Sequence, residues 1–245
     1  MKRGIVGGTF DPIHVAHCYL MEECAELLDL DQLLVIPNGD PPHKDDGVTQ
    51  ASHRLAMAEL ATRDYDRLEV SDMEIKESQV SYTWLTLTRL KKQYPEDELY
   101  FIMGGDSMAQ FRSWKQPETI LRLAHLVCFD RPGHRREEVM ASADWIRSQG
   151  GHVTLIDSLE LEISSTDIRQ RVASGRPHRS FLHPAVYQYI HEQGLYQTAE
   201  PMIEVAEETA LTEETPETPE TAETPETAGE AIPREPGGAG SEINE

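Results

Sequence analysis

Cysteine and long apolar runs are both scarce in this chain, and each scarcity excludes a class of protein. The 245 residues contain three cysteines, Cys18, Cys24 and Cys128, and none is closely paired with histidines in a spacing suited to zinc. An odd number of cysteines within apolar patterns indicates free thiols in a reducing compartment, with Cys18 and Cys24 facing the core from a helix. No apolar stretch approaches the roughly 20 residues that span a bilayer, and the sequence opens on a strand pattern instead of a signal peptide. We therefore expect a cytoplasmic protein without a membrane partner.

Positive charge is also scarce, and the negative charge is unevenly distributed. Lysine and arginine number 22 against 44 aspartates and glutamates, which gives a formal net charge of −22. Because a phosphate backbone is bound by a basic face, this balance argues against nucleic acid as a partner. Residues 199–245 contain 14 glutamates and one basic residue, Arg234, so they carry −13 and leave −9 for residues 1–198. The first part can therefore still focus positive potential near a few basic side chains.

The composition changes near residue 198, which divides the chain into two regions. From Glu214 onward the sequence repeats Glu-Thr-Pro and Glu-Thr-Ala before a Gly- and Pro-rich end. High net charge, recurrent proline and very few aromatic residues cannot offset the entropy of ordering, so residues 199–245 are predicted to be a disordered acidic tail. With 38% hydrophobic residues overall, residues 1–198 can build one sizeable core.

Strand-like apolar runs alternate with helical patterns through residues 1–198, and this alternation is typical of a mostly parallel sheet. The runs end near residues 5–6, 33–36, 68–70, 99–102, 126–129 and 153–156. Helical patterns cover about 15–54 with an interruption at 37–48, then 83–93, 107–123, 135–149, 166–174 and 184–193, with Gly175 and Gly194 as C-terminal caps. The sequence thus predicts an α/β, Rossmann-like, doubly wound sheet with helices on both faces. In such sheets ligands bind beyond the carboxyl ends of the strands.

The first strand is followed by a glycine turn and two histidines three residues apart, in the stretch Gly-Gly-Thr-Phe-Asp-Pro-Ile-His-Val-Ala-His from Gly7 to His17. Glycine lets backbone N–H groups approach a phosphate, and the N-terminus of the following helix favours an anion. His14 and His17 project on one side of the first helical turn. The pattern therefore predicts a phosphate site, although a Gly-Gly turn before a helix can also be a plain connection.

A second motif, Ile-Ser-Ser-Thr-Asp-Ile-Arg from Ile163 to Arg169, follows another apolar run and opens another helix. Together the two motifs resemble the nucleotidyltransferase superfamily that shares its ATP site with class I aminoacyl-tRNA synthetases. Intermediate segments resemble, in order, the bacterial nicotinate-nucleotide adenylyltransferases over roughly residues 1–197. These segments are Asn38–Lys44, Ser81–Thr83, Gly104–Ser107 with Phe111 and Trp114, Arg131–Gly133, and Val186 with Tyr189 and Ile190.

The resemblance implies an enzyme that joins ATP and nicotinate mononucleotide into deamido-NAD and pyrophosphate, with Mg²⁺ accompanying the phosphates and no protein metal site. It assigns His14, His17 and Arg169 to catalysis. The implied ATP-binding residues are Gly8, Thr9, Phe10, His14, His17, Gly104, Asp106, Ser165, Thr166 and Arg169. The implied acceptor-binding residues are Lys44, Thr83, Trp114 and Arg131. Asp106 resembles the carboxylate that takes ribose hydroxyls, and Trp114 offers a flat face for a pyridine ring.

Several of these residues also have simpler interpretations. Ser165 could be only a helix N-cap, Trp114 a core residue and Lys44 a solvated loop lysine. Two positions depart from the family pattern, since Ala16 replaces a glycine before the second histidine and Leu85 replaces an aspartate. Alternative functions are an adenylyltransferase for nicotinamide mononucleotide or phosphopantetheine, and a nucleotide sensor without turnover. The sequence leaves the oligomeric state open.

Overall fold

The computed structural model describes residues 1–39, 47–76, 81–130, 136–157, 159 and 161–197. The predicted acidic tail lies outside these residues, as do the predicted site residues Lys44 and Arg131. None of the described helices is both long enough and apolar enough to cross a membrane.

Six parallel strands form a single sheet in the order β3-β2-β1-β4-β5-β6. The strands are β1 (Lys2–Gly8), β2 (Gln32–Pro37), β3 (Leu68–Val70), β4 (Glu98–Gly104), β5 (Ala124–Asp130) and β6 (Val153–Asp157). The central strand β1 pairs on one side with β2, where Val6 lies opposite Val35, and on the other with β4, where Val6 lies opposite Ile102. This order confirms the predicted Rossmann-like sheet and places its switch point between β1 and β4.

Eight helices accompany the sheet in the described part of the chain. They are α1 (Val15–Leu27), α2 (Ala51–Thr62), α3 (Thr83–Gln93), α4 (Gly105–Ala109), α5 (Pro117–Leu123), α6 (Arg136–Ser148), α7 (Ser165–Ala173) and α8 (Pro184–Glu192). The prediction for the second helix was too short, because helical spacing of apolar residues continues through Met57, Ala58 and Ala61. Gly175 and Gly194 have φ values of +66° and +61° and follow α7 and α8, which confirms their role in helix termination.

The continuous helix predicted over 107–123 is wrong. Helix α4 ends at Ala109, a short 3₁₀ turn covers Phe111–Ser113, and α5 starts at Pro117. Gln116 adopts a left-handed conformation with φ of 52°, which breaks the helix immediately before the proline. Proline is tolerated in the first turn of a helix but would lose a hydrogen bond and clash in its interior, so a new helix starts there.

Two apolar layers cover the two faces of the sheet, because successive strand residues point to opposite sides. On β4, Ile102 packs with helices α1, α2, α7 and α8, while Phe101 and Met103 pack with α3, α4, α5 and α6. All three cysteines are buried and none forms a disulfide, with Cys18 and Cys24 facing the core from α1 as predicted. The helices on both faces leave the carboxyl ends of the strands as the edge where a ligand can enter.

Candidate active site

Two adjoining cavities open at the carboxyl ends of β1 and β4, beside the first turns of α1 and α7. Cavity A has a volume of about 440 Å³, and its walls include His14, His17, Asp106 and Ser165. Cavity B has a volume of about 580 Å³ and extends from His17 past Trp114. The two share His17, Gly104 and Ser165, among other residues, and therefore adjoin one another at the switch point between β1 and β4.

Most of the residues predicted to bind ATP line this space. Cavity B adds Gly8, Thr9, Phe10 and Arg169 to those named for cavity A. Thr166 is the exception, since it is exposed, lines neither cavity, and its Oγ1 accepts a hydrogen bond of 3.4 Å from Nη2 of Arg169. The structure thus brings the two distant motifs together and places Thr166 beside Arg169 instead of in the wall.

The two histidines form a stacked pair at the start of α1. Their ring centroids are 3.7 Å apart with an angle of 20° between the planes, and His14 is the N-cap residue of the helix. The backbone N–H of His14 donates to Nδ1 of His17 over 3.3 Å. Because Nδ1 of a neutral imidazole then acts as the acceptor, the proton of His17 resides on Nε2. His17 therefore has one N–H to offer to a ligand.

Burial keeps both imidazoles uncharged. It lowers the pKa of His14 from 6.5 to about 4, and burial together with the neighbouring His14 lowers the pKa of His17 to about 3. Removal from water disfavours the charged form of an imidazole, and a second imidazolium at stacking distance adds repulsion. At neutral pH the pair consists of hydrogen-bonding groups and not of cations.

The packing of the Phe10 ring accounts for the glycine at position 8. Phe10 is buried and has φ of 51°, an uncommon conformation for a residue with a side chain. Its ring meets the His17 ring edge-on at 5.2 Å, and a Cβ atom added to Gly8 would lie 2.9 Å from Cζ of Phe10. Gly8 is thus required by the packing of Phe10, and Phe10 in turn fixes the orientation of His17.

Helix α7 is joined to the β1–α1 loop (residues 9–14) by two hydrogen bonds. Oγ of Ser165 donates to the carbonyl oxygen of Pro12 over 2.8 Å, and Nη1 of Arg169 donates to the carbonyl oxygen of Asp11 over 2.6 Å. The interpretation of Ser165 as the N-cap is wrong, because Ser164 is the N-cap and its Oγ accepts from the Asp167 amide over 3.1 Å. The Ser165 hydroxyl is instead one of the links between the two motifs.

Asp11, Arg54 and Tyr196 support the site, and the sequence analysis missed all three. Arg54 is fully buried and donates to the carbonyl oxygens of Thr9 at 2.8 Å, Thr49 at 2.8 Å and Gly39 at 3.4 Å. It therefore connects the β1–α1 loop with both described ends of the segment that contains Lys44. A signal for Arg54 existed, since it occupies a core-facing position of α2, three residues after buried Ala51 and four before buried Ala58.

The acceptor-side residues Thr83 and Trp114 lie together next to cavity B. Both line a smaller cavity of about 180 Å³ that also includes the buried carboxyl group of Glu74, whose Oε1 accepts from Oγ1 of Thr86 over 2.6 Å. The Trp114 ring packs at 6.0 Å from Phe101 and also lines cavity B. The core interpretation of Trp114 and its exposure to the cavity are thus compatible.

The two departures from the family pattern have different locations. Ala16 is buried on α1 and lines cavity A, so its methyl group forms part of the wall beside the histidines. Leu85 is half-buried in the first turn of α3, and it is not among the residues that line the cavities described above. Only the alanine directly changes the shape of the space.

Among the described residues, no group of three or more His, Cys, Asp and Glu side chains is arranged to hold a metal ion. Asp106 contributes a carboxylate to cavity A, whereas both carboxylate oxygens of Asp11 accept hydrogen bonds from Tyr196 and Thr49. Mg²⁺ is usually bound through one or two carboxylates plus substrate phosphates, so the site is suited to an ion that arrives with a nucleotide.

Residues 5–171 match the family model described as cytidylyltransferase-like. The probable nicotinate-nucleotide adenylyltransferase of Exiguobacterium sibiricum is 39% identical over 198 residues, which cover 81% of this chain and 100% of that protein. A protein of the same name from Roseiflexus sp. is 44% identical over 195 residues, which cover 79% of this chain and 97% of that protein.

Two solved structures are similar in fold. The nicotinic acid mononucleotide adenylyltransferase of Plasmodium falciparum, complexed with NaAD, has a TM-score of 0.66 at 22% identity and covers 80% of this chain and 98% of its own. Its complex with APC has a TM-score of 0.65 at 21% identity, with coverage of 80% and 96%. At this identity the likeness establishes the fold, in agreement with the sheet order.

The low pKa values of the histidine pair predict a dependence of stability on pH. The unfolded chain takes up protons on these residues near 6.5, whereas the folded chain does so at about 4 and about 3. The unfolded state therefore binds more protons between these values, and the free energy of unfolding falls as pH decreases from about 6.5 to about 4. Urea unfolding of the wild type and of a His14→Gln, His17→Gln double variant measures this contribution. We expect a steeper pH dependence in the wild type, and equal slopes would contradict the burial of neutral imidazoles.

Proposed function

The chain belongs to the cytidylyltransferase-like family and, within it, to the nicotinate-nucleotide adenylyltransferases, and from this premise we propose how its site works. It is an enzyme that transfers AMP from ATP to nicotinate mononucleotide and releases pyrophosphate. A phosphate oxygen of the mononucleotide attacks the α-phosphorus of ATP in line, the bond to the bridging oxygen breaks, and deamido-NAD forms. Since no side-chain nucleophile is needed, positioning and charge stabilisation supply most of the catalysis.

The ATP phosphates bind at the first turns of α1 and α7 in this proposal. His14 and His17 provide neutral N–H donors, the N-terminus of α1 adds backbone donors, and Arg169 provides the permanent positive charge for the departing pyrophosphate. Neutral donors are less costly to desolvate than imidazolium groups and still bond to charge that develops in the transition state. The remaining ATP contacts come from Gly8, Thr9, Phe10, Gly104, Asp106 and Ser165. Thr166 contributes through its hydrogen bond with Arg169.

The observation that carries this proposal is the convergence of the two motifs on one space. His17 and Arg169 are far apart in sequence, yet both line cavity B, and Ser165 and Arg169 bond to the same loop that leads to His14. If the glycine turn were only a connection between a strand and a helix, no second helix N-terminus with an arginine would need to lie beside it. Donors from α1 and from α7 can therefore approach one phosphate group of a bound nucleotide from two directions.

The acceptor binds on the other side of cavity B. There Trp114 provides a flat face for the pyridine ring, and Thr83 lies beside it in the adjoining cavity. Lys44 and Arg131, which lie outside the described residues, are proposed to contact the acceptor phosphate or carboxylate. The Arg54 hydrogen bonds fix Gly39 and Thr49, the residues that flank the Lys44 segment.

We propose that ATP enters as its magnesium complex, with Asp106 as the carboxylate that faces the phosphates or ribose in cavity A. When bound, the ion would supply charge neutralisation at the phosphates, and the chain's own residues would orient the nucleotide. No nucleic acid or membrane partner is proposed, in line with the net charge of −22. The three buried cysteines form no disulfide, which favours the reducing cytoplasm as its location.

Release of pyrophosphate with ATP tests the function directly when three acceptors are compared. Nicotinate mononucleotide should give a higher kcat/KM than nicotinamide mononucleotide or phosphopantetheine. Preference for phosphopantetheine, or binding of ATP without release of pyrophosphate, would contradict the proposed activity and favour one of the alternative functions.

The variant His17→Ala should lower kcat by about 100-fold or more, because one donor to developing charge contributes about 2.7–4 kcal/mol. Steady-state pyrophosphate release at saturating substrates measures the effect. His152→Ala is the matched control, since His152 is exposed immediately before β6 and lies outside both cavity walls. Turnover of His17→Ala within a few-fold of the control would remove His17 from the catalytic site.

Trp114 should contribute to acceptor binding and to stability at once, because its ring lines cavity B and packs on Phe101. Trp114→Ala is expected to raise the acceptor KM more than the ATP KM and to lower the free energy of unfolding by about 2 kcal/mol. Trp114→Phe keeps an aromatic face and should retain most of the acceptor affinity. A loss of stability with unchanged acceptor KM in Trp114→Ala would leave the residue a purely core role.

A further inference from the structure

The segment that follows α8 returns to the active site. Gly194, with φ of +61°, terminates the helix, and the Leu195 amide donates to the Ile190 carbonyl over 3.0 Å. The hydroxyl of Tyr196 then donates to Oδ1 of Asp11 over 2.6 Å, although the two residues are 185 positions apart. The end of the described domain thus contacts the loop that leads to His14.

Asp11 is buried and is bonded from several directions. Its Oδ2 accepts from the backbone N–H of Thr49 over 3.1 Å, and its carbonyl oxygen accepts from Arg169. The residue therefore joins the β1–α1 loop, the segment before α2, helix α7 and the segment after α8. Since the Asp11 carboxylate accepts from Thr49 and Tyr196 and its carbonyl oxygen accepts from Arg169, its position determines where the following residues, including His14, are located.

Tyr196 is suited to act as a permanent donor. Burial, together with the hydrogen bond to Asp11, raises the pKa of Tyr196 well above its usual range, so the phenol keeps its proton at all physiological pH values. The residue also has φ of 61°, a conformation that is uncommon for a residue with a side chain. Such a conformation persists where surrounding contacts fix it, and here the hydroxyl and the ring are both engaged.

We infer that Tyr196 is a positioning residue for adenylyl transfer, and that its hydrogen bond to Asp11 fixes the β1–α1 loop in the geometry that aligns His14 with Arg169. The inference rests on the proposed function. Tyr196 does not line cavity A or cavity B, so it acts through Asp11 and not through contact with a substrate. Without its hydroxyl, one buried oxygen of Asp11 loses its donor, and the loop can move to satisfy it.

A role in packing alone is the competing explanation, because the Tyr196 ring also contacts the apolar layer that contains Met57. Tyr196→Phe separates the two explanations, since it keeps the ring and removes only the hydroxyl. Tyr189→Phe is the matched control. Tyr189 contacts the same apolar layer, but its hydroxyl bonds to Nδ1 of His53 at 2.9 Å and not to the β1–α1 loop.

The experiment compares wild type, Tyr196→Phe and Tyr189→Phe in the full chain, with ATP and nicotinate mononucleotide as substrates. We expect kcat of Tyr196→Phe to fall about tenfold or more, a loss typical of a hydrogen bond to a charged group, while both tyrosine variants stay folded at the assay temperature. In the background of Asp11→Asn, Tyr196→Phe should have a much smaller effect, because the two residues act as one pair.

Three results would overturn the inference. One is a kcat for Tyr196→Phe within about twofold of wild type, because this loss is much smaller than the one expected when a hydrogen bond to a charged group is removed. Another is an equal loss of kcat and melting temperature in both tyrosine variants, and the third is full additivity with Asp11→Asn.

Failure of the proposed function is distinguishable from failure of this inference. If wild type releases no pyrophosphate with these substrates, ATP binding measured by calorimetry replaces turnover as the readout. Weaker ATP binding by Tyr196→Phe than by Tyr189→Phe supports the positioning role, and equal binding contradicts it.

Discussion

The backbone carbonyl groups of Asp11 and Pro12 accept the hydrogen bonds on which the whole site depends. Arg169 and Ser165 donate to them from the first turns of α7, so the loop after the first strand is joined to a helix formed near the end of the domain. A hydrogen bond that involves a charged donor contributes about 1.5–3 kcal/mol, more than a typical neutral pair. Arg169 therefore has a structural role before any nucleotide binds.

The histidine pair is neutral because it is buried beside the same β1–α1 loop. Phe10 of the β1–α1 loop is buried and meets the His17 ring edge-on, and the His14 ring stacks on the same imidazole. Removal from water then lowers both pKa values. The positive charge at the site comes from Arg169 and from the N-terminus of α1, whereas the imidazoles provide directed N–H groups. This division of roles is compatible with a domain whose formal charge outside residues 199–245 is −9.

The sheet order determines where these groups can meet. The strands after β1 are added first on one side of it, as β2 and β3, and then on the other side, as β4, β5 and β6. This reversal opens a crevice between β1 and β4. The apolar layers on both faces then leave ligand access at the carboxyl ends of the strands. Arg54 adds a constraint on this edge, because a buried guanidinium must be bonded on several sides, and its partners are loop carbonyls from Thr9, Gly39 and Thr49.

The sequence by itself determined the strand and helix alternation, the two family motifs and the core-facing cysteines of α1. These depend on local patterns, such as apolar spacing along α1 or a glycine turn before His14, which can be recognised without knowing what the segment packs against. The break at Gln116 and the full length of α2 are also encoded locally, by Pro117 and by the spacing of Met57, Ala58 and Ala61. Only the tertiary structure decided that Ser165 bonds to Pro12, that Arg54 reaches Thr9 in the β1–α1 loop and that Tyr196 reaches Asp11. Each of these contacts joins residues distant in sequence, and no spacing rule relates a donor to an acceptor 185 positions away.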